Sequence, residues 1–171
     1  MFNLKITRRD IAINETNYDH MLGLNDPSLT IPNKPNYHNI YMLDITMQTD
    51  YSPREKHIEE IVNWSKRIKS NEKVIIHCMA GISRSSASAV AVLINHGMSV
   101  EQVYPHIMTV QPIANPNWLM IQMIDDYFTL DGMLKEEHKK WFKETLDMQL
   151  KGQDTTGEID FFKNLLKNLN T

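Results

Sequence analysis

Between residues 73 and 94 the chain passes from a short apolar stretch, through a turn built around one glycine, into a long run of small and apolar residues. Lys73-Val74-Ile75-Ile76 has the length and content of a buried strand, and Ser86-Ala87-Ser88-Ala89-Val90-Ala91-Val92-Leu93-Ile94 reads as a buried helix. His77-Cys78-Met79-Ala80-Gly81-Ile82-Ser83-Arg84-Ser85 is the loop between them. A strand that feeds a helix in this way calls for an α/β architecture, with a central, mostly parallel sheet flanked by helices.

The loop also carries chemistry. Backbone N–H groups of residues 79 to 84 can turn inward as an anion-binding nest above the positive end of the helix that begins near Arg84. Met79, Ala80, Gly81, Ile82, Ser83 and Arg84 are therefore the candidate phosphate-binding residues, and Arg84 adds a planar fork that can hold two oxygens. Gly81 permits the dihedrals and close approach that such a wrapping turn needs. In the same field the Cys78 thiol should ionise easily and serve as a nucleophile. Ser85 is placed to donate a hydrogen bond to that sulfur, and His77 to brace the backbone from the other side.

The string resembles the Cys-x5-Arg-Ser signature of the protein tyrosine phosphatase and dual-specificity phosphatase superfamily. Across roughly residues 19 to 134 the chain looks most similar to small bacterial and phage-type predicted tyrosine phosphatases. Asp19-His20-Met21-Leu22-Gly23-Leu24-Asn25-Asp26-Pro27 resembles their early strand and turn. Leu43-Asp44-Ile45-Thr46, followed by Pro53 and His57, resembles their acid-loop region, and Ala114-Asn115-Pro116-Asn117 the turn before a late helix. The resemblance implies a three-layer phosphatase fold and hydrolysis of phosphomonoesters through a phosphocysteine intermediate, without a cofactor. Its leading substrate is phosphotyrosine in a protein or peptide, with phosphoserine and phosphothreonine open. Inositol lipids fit less well, because Met79 and Ile82 stand where lipid-directed loops carry extra lysines. A catalytically inactive phosphate-binding module and a sulfurtransferase are the alternative readings of a looped cysteine.

In-line attack by the thiolate leaves negative charge on the departing oxygen, so a carboxylic acid must donate a proton from the opposite side. Asp44 and Asp50 are the candidates. Asp44 is preferred: Asp50 lies two residues before the expected Ser52 helix cap and can be held there, whereas Asp44 leaves a loop long enough to close. Asn117 is a supporting residue that can brace a neighbouring loop.

The remaining pattern fills in the domain. His20 to Leu24, Ile40 to Ile45 and Val74 to His77 are expected strands. Ser52-Pro53-Arg54-Glu55 predicts a capped helix with Ile58, Ile61, Val62, Ser65 and Ile68 inward. The helix after the loop should stop at Gly97. Ser99 starts another, which Pro105 should kink or shorten, and Asn115-Pro116 can cap a third that reaches about Leu130. The phosphatase domain is expected over 1–134, with 135–171 a helical extension that packs on it or on a second copy in a homodimer.

With 42% hydrophobic and 23% charged residues, the 171-residue chain can bury a sizeable core. A net charge of −3, with lysines dispersed among acids, gives no footprint for nucleic acid, so attraction for phosphate must be local. One cysteine rules out an internal disulfide and a cysteine-built zinc site; His96, His106 and His138 lack metal-ligand spacing, and no metal is expected. No stretch has the roughly 18 apolar residues of a membrane span, and the first residues lack a signal-peptide core, so the expected location is the cytoplasm.

Overall fold

Why the loop sits where it does follows from the strand before it. In the computed structural model, which describes residues 1–30 and 32–152, β4 (Lys73–Cys78) is hydrogen-bonded on both sides. Its neighbours are β1 (Asn3–Arg8) and β2 (His20–Asn25), and β3 (Tyr37–Tyr41) completes the order β1-β4-β2-β3, all parallel. A central strand covered on both faces has no position for polar alternation, which accounts for Val74-Ile75-Ile76 being apolar throughout.

The two faces are unequal. Leu22, Leu24, Ile40, Val74 and Ile76 point to the main core, where α2 (Glu55–Ser65), α3 (Arg84–Asn95), α4 (Val100–Val110), α5 (Trp118–Tyr127) and α6 (Met133–Gly152) gather. Met21 and Ile75, one step out of register, meet Ala12 of the short α1 (Arg9–Ala12) on the other face. That third layer is thin, and Tyr18 and Tyr37 complete it.

Several local expectations are corrected. β1 was not expected as a strand: its Leu-Lys-Ile-Thr alternation sits among exposed charges, and its pairing with β4, Ile6 opposite Ile76, is wholly long-range. The third strand ends at Tyr41 rather than Ile45; beyond it the chain bends toward the 79–84 loop, leaving Met42 buried. Ser52 does not cap α2. Its hydroxyl turns back to the Thr49 carbonyl at 2.8 Å, and Arg54 occupies the cap position with its N–H donated to His57 Nδ1 at 3.1 Å. α4 starts at the Ser99 cap as expected, with Gln102 accepting the Ser99 N–H, and continues past Pro105 to Val110. Asn117, not Asn115, caps α5 by accepting the Met120 N–H at 3.2 Å.

α5 ends at Tyr127, and Thr129, Asp131 and Gly132 take positive φ in the turn that follows. Buried Asp125 then accepts the N–H groups of Gly132 and Leu134 and so caps α6 from the preceding helix. α6 straddles the expected division at residue 134 and packs on α4 and α5, with His138 between the Tyr104, Trp118 and Trp141 rings. The amphipathic stretch from Ile159 to Leu169 lies outside the described residues. Among the described residues no helix is long and apolar enough to cross a membrane.

Candidate active site

Cys78 closes β4 with only 1% of its surface exposed. The Gly81 N–H donates to its sulfur at 3.3 Å, and Ser85 Oγ lies at the same distance. Burial pushes the thiol up, but the Ser85 hydroxyl, the Ser85 and Ile82 amides and the Arg84 charge outweigh it, leaving the thiol below its ordinary value.

The inward amides are matched by carbonyls tied outward. Met79 O accepts from Arg9 N, Gly81 O from Gln111 Nε2 at 2.9 Å, Ile82 O from Asn115 N at 3.0 Å, and Ser83 O from Asn117 N. A peptide whose oxygen is held on the outside of a turn presents its neighbour's N–H to the inside, so the surrounding segments shape the nest. Gly81 takes φ +73°, and a Cβ there would come within 2.4 Å of the Thr7 backbone. The loop is therefore pressed against the end of β1, a close approach that only glycine allows.

Arg84 opens α3 and is 3% exposed. Its Nη1 donates to Asp26 Oδ1 at 2.5 Å and to the Met42 carbonyl at 2.7 Å. Nε is buried without a hydrogen-bond partner, 3.7 Å from Asp44 Oδ2.

Of the two acid candidates, the structure brings only Asp44 to the loop. Its Oδ1 accepts from Ser83 Oγ at 2.7 Å and from Asn117 Nδ2 at 2.9 Å, and Asn117 Nδ2 also reaches the Ile45 carbonyl at 3.3 Å. The Asp50 side chain is 97% exposed, with Arg54 at 3.8 Å as its ion-pair partner. The turn that places Asp50 outward is the one Ser52 closes on Thr49.

Behind Cys78, His77 Nε2 lies 3.0 Å from Tyr37 Oη, which accepts from Asn25 Nδ2 at 2.8 Å. The tyrosine hydroxyl thus links the Asn25 amide to the His77 ring. Burial, helped by the Arg9 charge, lowers the His77 pKa to about 4, so the ring is neutral. Gly23 makes room for this chain: a Cβ would sit 2.3 Å from Tyr37 Oη.

Asp26, Tyr37, Asn25 and Gln111 were not singled out as site residues from sequence. The first and third lie in the Gly-Leu-Asn-Asp string, but nothing local in it shows that Asp26 meets an arginine 58 positions away. Among the described residues no group of three or more His, Cys, Asp or Glu side chains is arranged to hold a metal ion. The assembled site can bind a tetrahedral oxyanion over a sulfur whose ionisation is eased by its surroundings, with a carboxyl group at its rim.

Residues 7–129 match the family model described as dual specificity phosphatase, catalytic domain. Human protein phosphatase Slingshot homolog 1 is 27% identical over 128 residues, covering 73% of this chain and 12% of that protein. Dual specificity protein phosphatase 1 of Arabidopsis thaliana is 34% identical over 74 residues, or 42% of this chain and 37% of that protein. The chain thus spans only a minor part of the length of these relatives. Human DUSP28 shares the fold, with a TM-score of 0.57 at 16% identity over 72% of this chain and 90% of that one.

Proposed function

Because the chain belongs to the dual specificity phosphatase catalytic domain family, we propose that it is an active phosphomonoester hydrolase working through a phosphocysteine. Phosphotyrosine in proteins or peptides is its leading substrate, with phosphoserine and phosphothreonine as further substrates. The Cys78 thiolate attacks phosphorus in line, forming the S–P bond as the bond to the leaving oxygen breaks. Arg84 and the amides of the 79–84 turn hold the equatorial oxygens. Asp44 gives its proton to the leaving oxygen, then takes one from the water that cleaves the S–P bond and restores the thiolate. Ser85 stabilises the sulfur as attacking anion and as leaving group, and Asn117 holds the Asp44 loop near the site.

One observation carries this reading. The Cys78 sulfur lies 3.3 Å from both the Gly81 N–H and Ser85 Oγ, inside a turn whose other side is bound to Asp44 through Ser83. Nucleophile, oxyanion donors and proton donor thus share one cradle. Hydrolysis of an aryl phosphate that disappears in Cys78→Ser is the expected result. Phosphate binding without turnover by the unaltered protein would make it an inactive module, and thiosulfate-dependent activity would make it a sulfurtransferase.

A further inference from the structure

Arg84 has two edges, and the structure treats them differently. Both Nη1 contacts go inward, one to the Asp26 carboxylate and one to the Met42 carbonyl. The other edge carries Nε, buried and without a hydrogen-bond partner. A buried guanidinium N–H left unmade is costly unless a ligand supplies its acceptor. The Nε/Nη2 edge is also the one whose two parallel N–H bonds match a pair of phosphate oxygens.

We propose that Asp26 is a positioning residue for oxyanion binding: by holding Nη1 it orients the Arg84 fork so that Nε and Nη2 face the phosphate. The inference deepens the phosphatase reading and rests on it. Asp26 is suited to the role by its place in the fold. It follows directly on β2, which is bonded to the strand that ends in Cys78, so nucleophile and anchor are set from one sheet. The Met42 carbonyl comes from the segment just after β3 and fixes the second Nη1 hydrogen. An arginine with only the carbonyl would be free to turn toward Asp44, whose Oδ2 already lies 3.7 Å from Nε. With Asp26 on Nη1, Nε stays beyond hydrogen-bond distance of that carboxylate and keeps its hydrogen for a ligand oxygen. The same negative charge also weakens the attraction of Arg84 for a dianion, so the proposal requires orientation to outweigh that loss.

The test is the affinity of the full chain for inorganic phosphate, measured by calorimetry, beside melting temperature and aryl phosphate turnover. Asp26→Ala is expected to raise the phosphate dissociation constant about tenfold or more, to lower the melting temperature because a buried Nη1 hydrogen loses its acceptor, and to raise KM more than it lowers kcat. Asp26→Asn, whose Oδ1 can still accept from Nη1, is expected to recover part of the loss. In an Arg84→Ala background the Asp26→Ala change should cost less than about twofold, because it acts through the missing side chain. Phosphate affinity within about twofold of the unaltered protein, or tighter, overturns the proposal. If Asp26→Ala does not fold, Asp26→Leu, close in shape and without an acceptor, decides, and an unchanged dissociation constant there is equally fatal. A protein that binds phosphate but hydrolyses nothing defeats the hydrolase reading alone, since the Asp26 comparison is made on binding; one that binds no phosphate defeats both.

Discussion

The turn that holds Cys78 and the loop that holds Asp44 face each other across one site, yet they are secured in opposite ways. Residues 79 to 83 are anchored through backbone oxygens to four residues in two other segments, Arg9 at the start of α1 and Gln111, Asn115 and Asn117 between α4 and α5. The Asp44 carboxylate is held by two side chains, Ser83 and Asn117, and its loop closes on itself through the Leu43 N–H and the Tyr51 carbonyl. The first arrangement cannot shift without breaking backbone contacts on two sides at once. The second can release after the loss of a few side-chain hydrogen bonds, each worth about 1 kcal/mol. A nucleophile needs a fixed aim, whereas a proton donor must admit a substrate and close over it.

The sharpest way to break this comparison is at the sulfur. Cys78→Ser should reduce aryl phosphate turnover on the order of 10⁴-fold or more in steady-state kinetics, because an unactivated hydroxyl replaces the thiolate. Phosphate binding should survive, since the amides and Arg84 remain. Next in size, Asp44→Asn should lower turnover about 10²-fold, most strongly for substrates with poor leaving groups, while Asp50→Asn should leave it unchanged. Equal losses in the two variants would erase the distinction drawn between an anchored carboxylate and an exposed one.

pH should act on stability through two buried histidines. His77, behind the Cys78 turn, and His138, in α6, both have pKa values lowered to about 4, burial being the main cause. The unfolded chain therefore binds more protons than the native one between pH 6.5 and 4, so stability rises with pH across that window and is lost as pH falls through it. Each ring should cost roughly 2 kcal/mol between pH 7 and pH 5, read from urea midpoints. His138→Phe should remove about half of the slope and leave turnover alone. The smallest effect is expected at Asn117→Ser. Serine is an acceptable cap for α5 but has no amide to give Asp44, so kcat should fall less than about tenfold with little change in melting.

The same contrast explains what could be read from sequence. Every determinant of the Cys78 turn except its outer anchors lies within residues 77 to 85, on a strand and helix that announce themselves by composition. Asp44 could be proposed because the chemistry requires an acid and the residues around it resemble a known loop. Choosing it over Asp50 depended on a helix cap at Ser52, whereas Arg54 holds the cap position. Asp26, Tyr37 and β1 were out of reach for one reason. Their roles come from partners 58, 40 and about 70 positions away, and neither hydrophobic period nor local propensity encodes such pairings. Pro105 shows the opposite failure, a strong local signal overridden by the packing of α4 on α3 and α6.

β4 is flanked by strands along its length, Arg8 lying opposite Cys78 and Gly23 opposite His77. Interior amides of such a strand exchange with deuterated solvent chiefly when the whole molecule opens, not through fraying. The register of the reactive end is thus inherited from global cooperativity. Substitutions in the distant helices should change how many molecules are competent at a given moment, while each competent molecule keeps the same intrinsic rate.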